Sequence, residues 1–151
     1  MSNGKGNAII MIKKYGKDGK LKEIIIRQGN VFLTCGIQAI WNIIAGNITT
    51  WQLGICAGNS NASASASQTC CQGNQQACAN ASSISVSSNQ MSITALFDGN
   101  TANFSWNEVC VAFTNMTCSN CSFAPIDRMV QILGTKQPGE QWQVTVTLSI
   151  S

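Results

Sequence analysis

The chain has 151 residues, enough for one domain with its own core. Only 10% of them are charged, against about a quarter in ordinary soluble domains, so neutral Asn, Ser, Thr and Gln must cover a surface that suits packing against neighbours. Histidine is absent, which excludes Ser-His-Asp and Cys-His nucleophiles and every His-containing zinc site.

The net charge is +3, and Lys5, Lys13, Lys14, Lys17, Lys20, Lys22 and Arg27 all fall in the first 27 residues. Residues 7–15 and 21–27 are Ile-rich β-type runs around Gly16-Lys17-Asp18-Gly19-Lys20. They predict a basic N-terminal hairpin over residues 7–27, its lysines guarding a sheet edge. Nucleic-acid binding would need aromatic readers among these charges, and Tyr15 is the only aromatic there.

Residues 36–46, GIQAIWNIIAG, place Ile37, Ile40, Trp41 and Ile44 on one helical stripe. One short α-helix is expected, with Thr34 as N-cap, Gly46 as its stop and Trp41 in the core. Residues 49–57 alternate as a strand carrying Trp51, Leu53 and Ile55. Residues 58–83 hold Ser, Ala, Asn, Gln and Cys but no large apolar side chain, and read as a long cysteine-rich loop.

Residues 91–113 read as two alternating strands around the turn Asp98-Gly99-Asn100, hence a central hairpin. A second cysteine loop covers residues 114–123. A strand over residues 128–133 and a turn at Pro138-Gly139 follow. The alternation Trp142, Val144, Val146, Leu148, Ile150 then predicts a terminal strand. Together these elements predict a single mainly β domain over residues 1–151, an antiparallel β-sandwich of jelly-roll-like form with one short helix.

Chemistry is sparse. The six carboxylates are Asp18, Glu23, Asp98, Glu108, Asp127 and Glu140, and no pair is spaced to converge in a cleft. Arg128 is the expected structural partner of Glu108. No catalytic residue, cofactor or enzyme activity is expected. The cysteines Cys35, Cys56, Cys70, Cys71, Cys78, Cys110, Cys118 and Cys121 leave two readings open. Cys118-x-x-Cys121 with Cys70 and Cys71 forms an irregular four-thiolate metal set. Alternatively, Cys56, Cys70, Cys71, Cys78, Cys118 and Cys121 form disulfides that staple loops poor in apolar groups, with Cys110 a small buried hydrophobe. Disulfides are the preferred reading. Six Asn-x-Ser/Thr sites, at Asn47, Asn61, Asn80, Asn103, Asn115 and Asn120, are matched by chance in so polar a chain.

No run approaches a membrane span and the first residues lack a signal-peptide pattern, so synthesis in a cytoplasm without ordinary export is expected. Eight cysteines sit oddly with that compartment. A thermophilic cytosol, bound metal or release into oxidising surroundings by lysis would each reconcile the two.

The order of features resembles small β-rich virion proteins of tailed bacteriophages, of the capsid-decoration, cement or tail-accessory type. The resemblance rests on the turn Asp18-Gly19-Lys20, Asn30, the Gly-led helix at 36–46 and the stretch WQLGICAG at 51–58. It continues through Ala95-Leu96-Phe97, the run Ala102-Asn103-Phe104-Ser105-Trp106-Asn107-Glu108-Val109-Cys110-Val111, the strand beginning at Arg128 and the alternating terminal strand. Cys110 stands where the pattern has Gly, and the two cysteine loops lie outside it. The resemblance implies a non-enzymatic structural role in a virion. Its implied partners are copies of the chain and other virion proteins such as the major capsid protein, without nucleic-acid or membrane binding. Residues 7–27 and 141–151 are the expected contact elements. An extracellular filament or adhesin subunit and a small sugar-binding sandwich are the alternatives. The last would use Trp51, Trp106 or Trp142 as platforms, whereas the alternation turns those rings inward.

Overall fold

The structure is a computed structural model that describes residues 6–29 and 31–150. Lys5, Asn30 and Ser151, which entered the sequence reading, lie outside them. The chain is mainly β and antiparallel throughout, with one short helix. Strands β1 (Gly6–Tyr15) and β2 (Leu21–Gln28) form the expected N-terminal hairpin. Its turn is closed by the Gly16 N–H donating to Lys20 O at 2.9 Å, and Gly19 adopts φ 79°, which glycine takes without strain. A two-residue strand β3 (Val31–Phe32) leads into helix α1 (Thr34–Ile44).

Then follow β4 (Leu53–Gly58), β5 (Gln76–Ser87), β6 (Gln90–Phe97), β7 (Ser105–Phe113), β8 (Ala124–Pro125), β9 (Asp127–Thr135) and β10 (Gln141–Ile150). The strand order is β2-β1-β10-β6-β5-β4-β7-β9-β3, with β8 added to β7. Strand β5 turns the corner. Residues 76–80 pair with β4, residues 81–87 pair with β6, and the register shifts between Ala81 and Ser83. The sheet therefore curls until its two halves face each other. Trp106 of β7 meets Phe97 of β6 and Trp142 of β10, each at 4.8 Å between centroids. Ile10, Ile12, Ile55, Ile93, Val111, Val144 and Val146 fill the space around them, all buried. Near the open seam Lys14 donates to Leu133 O, lies 4.1 Å over the Trp142 ring and pairs with Glu23 at 3.0 Å. Thus one predicted edge lysine belongs to the core.

Four expectations need correction. First, β6 and β7 do not pair: β6 lies between β10 and β5, and β7 between β4 and β9. Residues 98–104 carry the chain from one half of the sheet to the other. Asp98 accepts from the Asn100 N–H and the Thr101 hydroxyl, Ala102 takes φ 60°, and buried Lys136 donates to Asp98 O and Asn103 Oδ1. The turn chemistry was right, but it serves a crossing between the two halves of one curled sheet. Second, β5 takes in residues 76–83, the last part of the predicted loop at 58–83. Its inward residues Ala77, Ala79 and Ala81 alternate with Cys78, Asn80 and Ser82, a period too weakly apolar to register.

Third, Trp41 is 61% exposed and Trp51 46% exposed. The helix docks through small residues: Gly36 and Ala39 are buried, and a Cβ on Gly36 would overlap Pro125 and Ile126. Trp41 stands two positions from Ala39, about 200° round the helix, and so points outward. Thr34 opens the helix rather than capping it, and Leu33 is the N-cap; Gly46, at φ 80°, does follow the helix end. Fourth, the terminal strand β10 is paired on both sides, by β1 and β6. It offers no edge, only an outward row of Gln143, Thr145, Thr147 and Ser149. Trp106 and Trp142 are inward, as the alternation predicted.

Candidate functional site

The outer face of β4 and β7 carries Gly54, Cys56 and Gly58 beside Glu108, Cys110 and Ala112. In most sheets such a face meets water. Here all six residues of β4 are buried, because residues 59–75 and 114–123 fold over it as a polar cap. Two devices hold the cap. The first is sulfur. Cys56 pairs with Cys78 across β4 and β5, Cys71 with Cys110, Cys70 with Cys121, and Cys35 of α1 with Cys118. Cys56, Cys71, Cys110, Cys121, Ala112 and Phe123 make a second small core outside the main one.

The six disulfide candidates are thus all bonded. So are Cys35, which the sequence reading left unassigned, and Cys110, which it took for a small hydrophobe. The proposed metal set does not converge, since Cys70 bonds Cys121 while Cys71 and Cys118 bond elsewhere. Among the described residues, no three Cys, Asp or Glu side chains gather as metal ligands. The spacing alone held no signal for Cys35 and Cys110, because both find their partners across the fold, at separations of 83 and 39 residues.

The second device is charge. Arg128 Nε donates to Glu108 Oε1 at 2.8 Å, and neither side chain is exposed. Glu108 also accepts from the backbone N–H groups of Ser60, Gln72 and Gly73, at 3.0, 2.7 and 2.7 Å. Arg128 Nη1 donates to Ala62 O at 2.7 Å and Nη2 to Ser60 O at 3.4 Å. The pair therefore satisfies donors and acceptors at both ends of residues 59–75, the longer part of the cap. Gly58 and Gly73 leave room for its carboxylate, which a Cβ at either position would strike. With its lone pairs so engaged, Glu108 is not placed for acid–base work, and Asp98 lies in the crossing loop that precedes β7.

One carboxyl is unusual. Asp127 is buried, and desolvation pushes its pKa up to about 7, partly opposed by the hydrogen bond from the Val111 N–H at 2.8 Å. Burial also draws the Lys136 ammonium below its ordinary range, with Asp98 and Glu140 opposing.

Among the described residues, two apolar surfaces are left uncovered. One is the mouth between α1 and the ends of β5, β6 and β10. It forms an open groove of about 260 Å³ lined by Ile37, Ile40, Val86, Met91, Leu148 and Ile150. Ile44, Trp51 and Phe113 extend it, with Trp51 edge-on to Phe113 at 6.3 Å. The other is the outer face of the β1–β2 hairpin, where Ile9, Ile24 and Ile26 are exposed and Met11 pairs with Ile26. Scattered exposed apolar residues are normal, but groups of this kind mark contact surfaces.

The chain matches no protein-family model, and no curated protein or solved structure matches it.

Proposed function

We propose that this chain is a non-enzymatic structural subunit of a tailed-phage virion, most closely a capsid decoration or cement subunit. It works by fitting against copies of itself and against other virion proteins such as the major capsid protein. The observation that carries this reading is the pair of uncovered apolar surfaces, at the α1 mouth and on the β1–β2 hairpin, on a chain with only 10% charged residues. Such surfaces are costly to leave wet, at about 25 cal/mol per Å² of apolar area, and association covers them. The cap's disulfides fit a particle that assembles in a reducing cytoplasm and meets oxidising surroundings after lysis. In this reading the curled sheet is a jelly-roll-like β-sandwich, with β2-β1-β10-β6 as one layer and β4-β7-β9 as the other.

A second reading, an extracellular filament or adhesin subunit or a tail-accessory protein, is favoured by the outer edge of β2, which has no strand partner among the described residues. Negative-stain images of the concentrated chain discriminate. A lattice, or patches of sheet-like array, is expected for a decoration subunit, and threads or tubes for the alternative. Isolated bodies at every concentration would contradict both.

A further inference from the structure

The outer edge of β2 has no strand partner among the described residues, and a groove of about 390 Å³ separates it from residues 132–135 of β9. Seven of the eight β2 residues are exposed, and only Ile25 is buried. The Gly29 N–H bonds back to Ala8 O at 3.2 Å, and Gly29 stands opposite Ala8 in continuation of the β1–β2 register. In an antiparallel pair alternate residues bond to one neighbour. Residues 25 and 27 therefore bond to β1, and residues 24, 26 and 28 turn their backbone groups outward. The side-chain contacts agree. The outward Ile26 and Gln28 carbonyls accept from Arg27 Nη1 at 3.0 Å and Gln131 Nε2 at 2.9 Å.

The sequence along this edge is Glu23-Ile24-Ile25-Ile26-Arg27. Laid antiparallel on a second copy about Ile25, it complements itself. Ile24 meets Ile26 of the copy through the outward backbone groups, Ile25 meets Ile25, and Glu23 meets Arg27 twice over. Opposite charges and β-branched residues directly across a pair each favour it. A parallel pairing would set Glu23 on Glu23, so charge selects the antiparallel two-fold arrangement. Glu23 is half exposed beside Lys14, and among the described residues the Arg27 guanidinium donates only to the Ile26 carbonyl, so both side chains remain available. On the outer face the join makes one continuous stripe from Met11, Ile26 and Ile24 of both copies.

We propose that β2 is a self-complementary edge at which two copies of this chain join antiparallel about Ile25 into one continuous sheet. This rests on the reading that the chain works by self-association. It adds the element, the register and the charge pairs.

The test is a charge-exchange experiment read by sedimentation velocity at high micromolar concentration. Glu23→Arg and Arg27→Glu each set like charges opposite one another, so each alone should dimerise roughly tenfold or more weakly than the unaltered chain. An equimolar mixture restores both Glu–Arg contacts and should recover the dimer as a heterodimer. Because Glu23 also pairs with Lys14, Ile26→Pro is the second variant. It removes one outward N–H, keeps the β1 pairing and should also yield monomers, with the fold verified by circular dichroism. If the unaltered chain associates and all three variants associate equally, β2 is not the joint, although self-association stands. If the unaltered chain is monomeric throughout, the β2 joint and self-association of the free chain fall together.

Discussion

Glu108 and Arg128 face each other at 2.8 Å, wholly buried, and between them hold both ends of residues 59–75, the longer part of the cap over the outer side of β4 and β7. A buried charge that loses its partner is strongly unfavourable, typically by about 3–5 kcal/mol. Glu108→Gln should destabilise the chain by an amount of that order and strand Arg128. The backbone N–H groups of Ser60, Gln72 and Gly73 should then exchange hydrogen much faster, while those of β10 keep the protection that global stability allows. Hydrogen exchange read by mass spectrometry checks this. Uniform acceleration across the chain would show that the pair holds up the whole fold and not the cap.

The disulfides make a covalent prediction. The oxidised chain should be lighter than the reduced chain by eight hydrogens, and peptide maps should link Cys35–Cys118, Cys56–Cys78, Cys70–Cys121 and Cys71–Cys110. Removing Cys71 and Cys110 together, as Ala, should cost about 2–4 kcal/mol. Chemical denaturation of the double variant measures it.

Asp127 sets a pH dependence. Its pKa rises from 3.8 in the unfolded chain to about 7 in the fold, so between those values the folded state binds more protons. Stability should therefore fall as pH rises from about 4 to about 7 and then level off, by at most about 4 kcal/mol. Asp127→Asn keeps an acceptor for the Val111 N–H and should flatten this part of the profile. Asp98 is held below the ordinary range by the Asn100 N–H and the Thr101 hydroxyl, so it acts only in more acid solution and in the opposite direction. Melting temperatures across this pH range, for both forms, decide the matter.

Tryptophan reports on the contact surfaces. Trp41 on α1 and Trp51 at the α1 mouth are exposed, whereas Trp106 and Trp142 are buried. Iodide should quench only part of the emission, and Trp41→Phe with Trp51→Phe should remove the quenchable part. Assembly through the mouth should shield the share due to Trp51. Strong quenching that persists in the assembled state would favour a sugar platform at Trp51 instead.

Much of this architecture was legible wherever a strand alternates large apolar with polar residues. Strand β10 and the β1–β2 hairpin show it, because burial of one face fixes the period. Strand β5 was hidden because alanine and cysteine pack its inner and capped faces without a strong hydropathy contrast. The crossing at residues 98–104 carries the same Asp, Gly and Asn that a hairpin would use, so local chemistry could not reveal which strands it joins. Trp41 was misplaced because the helix docks through Gly36 and Ala39, whose smallness permits close approach while adding little to an apolar stripe. Glu108 and Arg128 were readable as a pair, but their hold on Ser60, Gln72 and Gly73 depends on a loop path that no spacing encodes.

The central claim is that this chain belongs to a particle and acts by contact. Virus particles from the producing host, banded on a density gradient and analysed by mass spectrometry, test it directly. We expect the chain in the particle band, in constant ratio to the major capsid protein across the peak. Its confinement to the soluble fractions, with none in the banded particles, would contradict the claim.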